Sequence, residues 1–199
     1  MDRVEELSRA FERFPGIGPR QAKRFVYHLL AVSGYDRKVL ADLILRIGDD
    51  VQQCQECMRF WTGTGSICNY CSDRTRNTTQ LMVVEKDQDL LAIERANTYR
   101  GRYFVLGGVL TLSGKGAIRE RDLVARVEKK SAEGLEEIIL ALSATSEGEH
   151  TSDHIRNLLQ PLRGHIKLFT LGRGLATGSE LEYADTETLS AAFTNRKET

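Results

Sequence analysis

The residues best suited to chemistry are four cysteines spaced Cys54-x2-Cys57-x10-Cys68-x2-Cys71. Each close pair can present two thiolates to one side of an ion, and the ten-residue gap folds the pairs toward each other. Four sulfurs at ~2.3 Å complete a tetrahedral Zn²⁺ site and leave no position for an activated water, so the metal here is structural. The surrounding stretch, 52–78, lacks helical periodicity, is poor in aliphatics and holds the chain's single tryptophan, Trp61. Such a stretch needs a metal to supply its folding energy. Buried structural thiols or a redox pair are the alternatives, and they explain the paired spacing less well. Arg59, Arg74 and Arg76, on or beside this knuckle, either touch phosphate or lie on solvated surface.

The next constellation is Phe14-Pro15-Gly16-Ile17-Gly18-Pro19-Arg20, set between two apolar-periodic stretches. Gly16 and Gly18 permit a tight turn with uncovered amides, and Pro19 suits the first turn of the next helix. Unpaired amides at a helix start form an anion site that the helix dipole reinforces. Arg20, Lys23 and Arg24 follow within reach of the same phosphate backbone. Contacts of this kind are sequence-independent and salt-sensitive. The plain alternative is a helix corner with a solvated basic face. The pattern resembles a helix-hairpin-helix, a DNA-binding module that reads no bases, with Gly16, Gly18, Arg20, Lys23 and Arg24 as its contact residues.

A third group is acidic. Glu85 closes an apolar run at 81–84, and Glu147 and Glu149 follow another at 138–142. In a parallel sheet the carboxyl ends of strands gather on one edge, where three carboxylates can converge on Mg²⁺. This resembles the Toprim domain of topoisomerases and primases, in which a Glu serves acid–base chemistry and an Asp-x-Asp pair holds metal. Here the pair is Glu-x-Glu, one methylene longer on each side, and solvated loop acids are the competing reading. Two glycine-rich stretches, 108–116 and 172–178, miss the phosphate-loop and dinucleotide spacings by one residue each. No nucleophilic triad stands out, and His28, His150, His154 and His165 read as structural or surface residues.

These groups need elements to hold them. Apolar residues at helical spacing recur as Val4, Leu7, Phe11, Phe14; as Ala22, Phe25, Val26, Leu29, Leu30; and as Leu40, Leu43, Ile44, Ile47, Val51. They predict three helices, the third begun by Asp36 as N-cap. From residue 80 onward, strand-like runs at 81–84, 103–106, 138–142 and 166–169 alternate with helical patterns at 90–96, 120–130, 155–162 and 188–193. That alternation implies a largely parallel α/β sheet. The chain has 199 residues, 41% of them hydrophobic, enough for one or two cores. Its 28 basic and 28 acidic side chains cancel, which excludes a polybasic coat and an acidic tail. The balance hides a gradient: 9 basic against 8 acidic in 1–53, 13 against 9 in 54–130, and 6 against 11 in 131–199. A local basic patch can therefore bind phosphate on a neutral chain. No apolar stretch is long enough to span a membrane and the start does not read as a signal peptide, so the cytoplasm is the expected location.

Taken together, the order of these parts resembles the RecR family of recombination mediators over nearly the full chain. The resemblance runs through 15–30 (PGIGPRQAKRFVYHLL), the four cysteines, Val83-Val84-Glu85, 99–106 (YRGRYFVL), Glu147-Gly148-Glu149 and 178–189 (GSELEYADTETL). It implies a multidomain α+β and α/β fold. The parts are a helix-hairpin-helix region (1–52), a four-cysteine zinc finger (53–78), a Toprim-like α/β domain (79–174) and a C-terminal strand and helix segment (175–199). The implied function is non-catalytic: a homo-oligomeric ring, dimer or tetramer, that binds single- and double-stranded DNA near the nucleoid. With RecO and RecF it would promote RecA loading on gapped single strands. Glu85, Glu147 and Glu149 would serve partner contact more than chemistry. The rival expectation is a Mg²⁺-dependent Toprim phosphoryl-transfer enzyme.

Overall fold

In the computed structural model, residues 2–162 and 164–196 are described, and they divide into two compact units between Gln52 and Gln53.

The first unit is helical: α1 (Arg3–Glu12), α2 (Pro19–Ala31) and α3 (Gly34–Asp50). Asp2 caps α1 by accepting from the Val4 amide at 3.2 Å. The turn that follows places Gly16 at φ +77, a conformation side chains resist, and Gly18 serves as N-cap with Pro19 in the first turn of α2. The expected apolar faces of α1 and α2 meet: the Phe11 and Phe25 rings pack edge to face at 5.7 Å, over buried Ala22 and Val26. One cap differs from expectation. Ser33, not Asp36, caps α3; its hydroxyl accepts from the Asp36 amide at 3.1 Å and donates to the Asp36 carboxylate at 2.7 Å. Asp36 is thus the third helical residue, where a carboxylate returns a bond to the cap. The apolar face of α3 behaves differently from the other two: none of its residues is buried.

The short strand β1 (Val51–Gln53) runs across the division, and in the second unit β2 (Phe60–Thr62) and the short α4 (Asn69–Ser72) accompany the cysteines. An α/β domain follows: β3 (Gln80–Val84), α5 (Asp87–Ala96), β4 (Arg102–Val105), α6 (Glu120–Ala132), β5 (Glu137–Ala141), α7 (Ser146–Leu159), β6 (Lys167–Thr170) and α8 (Thr186–Thr194). Four strands pair in parallel in the order β4-β3-β5-β6, with Val83 opposite Phe104 and Leu140. Alternation along β3 sorts the core: Leu81 and Val83 join Leu123, Val127, Ile155 and Leu159 of α6 and α7, while Met82 and Val84 join Leu90 of α5. Cover on both faces explains why β3, β4 and β5 read as apolar runs, while the edge strand β6 is largely exposed.

The start of α7 departs from expectation by nine residues, Ser146 rather than 155. Its first turns carry little apolar period, but Thr145 caps them through the Gly148 amide at 3.1 Å. A Cβ on Gly148 would lie 1.9 Å from the Ser143 carbonyl, so only glycine allows that turn to close. Among the described residues, no helix is long and apolar enough to cross a membrane.

Candidate functional site

The cysteine cluster is built by two tight turns. The Cys54 amide donates to Arg59 O at 2.8 Å and the Met58 amide to Cys54 O at 2.9 Å, and together they wrap the first pair. Cys68 is the N-cap of α4, whose single turn brings Cys71 back to the same side. All four sulfurs lie within 4.8 Å of one another, and Cys54, Cys57 and Cys68 are buried. Cys57 Sγ and Cys68 Sγ are 3.6 Å apart, against an edge of ~3.8 Å expected for four sulfurs bonded at ~2.3 Å around a tetrahedral ion. The Cys68 amide also donates to Cys54 Sγ at 3.3 Å, the bond a thiolate wants. Neighbouring thiols donating from Cys57, Cys68 and Cys71 hold Cys54 far below the ordinary thiol range, and the same mutual bonding drives Cys71 far above it. Four thiol sulfurs gathered this closely, with a backbone amide aimed at one of them, form a ligand set that a divalent cation would complete. The residues present therefore fit a four-coordinate metal ion.

Trp61 packs against the cysteines. The knuckle is also tied into the sheet. Cys57 O accepts from the Val105 amide at 2.8 Å. Arg102 Nη1 donates to Tyr70 O at 2.7 Å and to Cys71 O at 2.9 Å. Asp87 accepts from the Phe60 amide at 2.9 Å. Glu56, between the first two cysteines, pairs with buried Arg126 and, at 3.0 Å, with Lys129 on α6. None of these tethers was legible from the spacing of the cysteines.

The three arginines beside the knuckle separate. Arg76 is buried, bonded to Glu94 Oε2 at 2.5 Å and to Gly101 O at 2.9 Å, so phosphate cannot reach it. Arg59 lies 4.6 Å over the Tyr70 ring, and Arg74 is exposed.

In the helical unit, Gly18 caps α2 without a side-chain bond, and the Ala22 amide is the first to find an intrahelical acceptor, Gly18 O at 2.9 Å. The amides of Arg20 and Gln21 accordingly face outward from the helix start. Arg20, Lys23 and Arg24 are exposed and, among the described residues, none forms an ion pair, whereas Arg3 on α1 is paired with Glu6. The structure thus places all five expected residues, Gly16, Gly18, Arg20, Lys23 and Arg24, at one turn and helix start.

The acids are a different matter. Glu85 follows β3 and is buried, and its carboxylate accepts from the Ser143 hydroxyl and pairs with Lys86 Nζ at 3.0 Å. Burial opposes its charge, but those two donors prevail and hold the carboxyl below the usual carboxylate range. Glu147 and Glu149 occupy the first turn of α7, where the helix dipole favours carboxylates. Glu149 pairs with Arg173. Among the described residues, the cysteines are the only group of three or more metal-binding side chains that come together, so the three acids are not gathered for Mg²⁺. Of the histidines, His154 bonds Glu120 at 2.8 Å, and none joins a ligand cluster among the described residues.

Comparison with known proteins adds three family matches: a Toprim domain over residues 79–169, "RecR, C-terminal" over 174–197 and "RecR, helix-hairpin-helix" over 4–47. The chain is 42% identical over 197 residues to the recombination protein RecR of Ruegeria sp. (strain TM1040), covering 98% of this chain and 96% of the relative. It is 40% identical over 190 residues to that of Prochlorococcus marinus (strain MIT 9303), covering 94% and 96%. It is 36% identical over 198 residues to that of Mycobacterium leprae (strain TN), covering 98% and 96%.

Proposed function

The chain belongs to the RecR family of recombination proteins, and from that premise we propose that it is a non-catalytic, zinc-containing DNA-binding mediator of recombinational repair. The observation that carries this reading is the set of exposed cations Arg20, Lys23 and Arg24, without an ion pair among the described residues, behind a helix start that no side chain caps. Outward amides take one phosphate and the guanidiniums take its neighbours, on single or double strands alike. The four cysteines hold Zn²⁺, which fixes the knuckle and does no chemistry.

The absence of catalysis is supported by the state of the acids. Glu85 is already engaged by the Lys86 ammonium and the Ser143 hydroxyl, and Glu149 by Arg173. A hydrolytic Toprim centre needs such carboxylates for metal and proton transfer. In this reading they present a charged edge to the partners RecO and RecF, with which the protein promotes RecA loading on gapped single strands. Self-assembly into a dimer or tetramer ring is supported by exposed apolar residues such as Leu43, Ile44 and Ile47 on α3 and Leu181, Tyr183 and Phe193 near the C-terminus. The setting is the cytoplasm, at the nucleoid.

One experiment tests both halves. A labelled oligonucleotide is titrated with protein in low salt and then incubated with Mg²⁺. The expected result is binding, weakened strongly in the Arg20→Ala/Arg24→Ala variant, with the oligonucleotide recovered at full length. Cleavage that disappears in Glu85→Gln would establish the enzymatic alternative instead.

A further inference from the structure

The outer face of the knuckle carries charge that neither the metal nor the fold uses. Across 57–77 and 94–102 there are six arginines (Arg59, Arg74, Arg76, Arg95, Arg100, Arg102) and two acids, Asp73 and Glu94. Both acids turn toward buried Arg76, Glu94 at 2.5 Å and Asp73 at 3.9 Å. Arg102 is spent on the backbone of Tyr70 and Cys71.

The same buried arginine ties together the segments that carry the others. Its guanidinium lies 4.9 Å from the Tyr70 ring, on which Arg59 also sits at 4.6 Å. It bonds Gly101 O, next to Arg100, at 2.9 Å, and it pairs with Glu94, next to Arg95. The Asn77 amide donates to Arg100 O at 2.8 Å, joining the segment that carries Arg74 to the segment that carries Arg100. Arg74, Arg95 and Arg100 are all exposed, and among the described residues their side chains form no ion pair. Three exposed arginines, without an ion pair among the described residues, are therefore carried by segments that converge on Arg76, and Glu94 and Asp73 already face that buried guanidinium.

We propose that Arg74, Arg95 and Arg100, with Arg59 at the border, form a second track for a nucleic-acid phosphate backbone, distinct from the turn at Gly16–Gly18. The inference rests on the proposed DNA-binding function and extends it to the metal-bearing unit. An acidic protein is the other polyanion such a face could meet. Protein interfaces centre on an apolar or aromatic anchor in a pocket, and the rings at the centre here, Tyr70 and Tyr103, are already covered by Arg59 and Arg76. Exposed guanidiniums without an apolar centre match repeating phosphates instead.

The test is the salt dependence of binding to a single-stranded oligonucleotide by three full-length proteins: parent, Arg20→Ala/Arg24→Ala and Arg74→Ala/Arg95→Ala/Arg100→Ala. Each lost phosphate contact removes ~0.7 from the slope of log affinity against log salt. The triple variant should flatten the slope by about 2 and weaken low-salt binding at least about tenfold, with an unchanged melting temperature. If the alanine set lowers the melting temperature, the Arg→Gln set at the same positions takes its place. Parental slope and affinity in the folded triple variant, beside weakened binding by Arg20→Ala/Arg24→Ala, would overturn the second track and leave the first intact. That result would return the face to an acidic protein partner or to solvent. A parent that ignores the oligonucleotide in dilute buffer would overturn both.

Discussion

The exposed cations at the helix start of the first unit and the two buried arginines of the second stand in opposite situations. In residues 1–52, Arg20, Lys23 and Arg24 stand exposed behind a helix start and have no ion-pair partner among the described residues. In the cysteine-bearing unit, Arg76 and Arg126 are buried; Arg76 faces Glu94 and, farther off, Asp73, and Arg126 pairs with Glu56. An exposed guanidinium keeps its hydration and its freedom to trade water for phosphate. A buried one has given up hydration and depends on the protein groups around it, its carboxylate partner first. What separates a binding arginine from a structural one is therefore the fate of its counter-ion. Core content differs in parallel: α3 buries none of its residues, while the larger cluster between the sheet and helices α6 and α7 holds twelve buried residues.

The largest expected effect falls on the metal. Structural zinc is worth ~10 kcal/mol or more in peptides of this ligand type, comparable to the whole stability of a small domain. Because the knuckle is tethered to β4, α5 and α6, chelation should loosen more than 54–71. Trp61 fluorescence should change together with the far-ultraviolet signal of the sheet; a Trp61 change with an unaltered sheet would confine the metal's role to the knuckle. Next comes Glu56→Ala, which strands buried Arg126 and should cost about 3 kcal/mol, read as a lowered midpoint in urea. A surface pair would lose a few tenths.

Removing exposed cations should do the reverse. Arg20→Ala/Arg24→Ala should leave the urea midpoint within error and reduce the salt slope of DNA binding by ~1.4 to 1.8. The smallest effect belongs to Glu85→Gln, about 1 kcal/mol at neutral pH, since one hydrogen bond and one partly exposed ion pair are at stake. Its sign with pH is fixed. The folded carboxyl is held below its unfolded value of ~4.3. Its contribution is thus complete above that value and fades as pH falls through the folded one. Parent and variant should converge in acid; a difference that persists there would assign the effect to packing.

Much of this was legible because it depends on local spacing. The cysteine pairs, Pro19 behind two glycines and the buried strands β3, β4 and β5 all follow from short-range pattern. What escaped depends on residues far apart in sequence. Nothing around Arg76 announces that Glu94, eighteen positions on, will bury it, and Arg126 reads as one of several cations on an amphipathic helix. The acids looked convergent because strand ends share an edge, yet Lys86, Ser143 and Arg173 engage two of them. At α3, two good N-caps three residues apart compete, and the serine won by making both reciprocal bonds.

The contrast between the units is tested most directly by a paired measurement: melting temperature and low-salt DNA affinity for Arg24→Ala and Arg76→Ala side by side. The account predicts that Arg24→Ala melts with the parent but binds DNA less tightly, and that Arg76→Ala melts several degrees lower. An Arg76→Ala protein as stable as the parent, or an Arg24→Ala protein that loses stability while keeping full affinity, would contradict it.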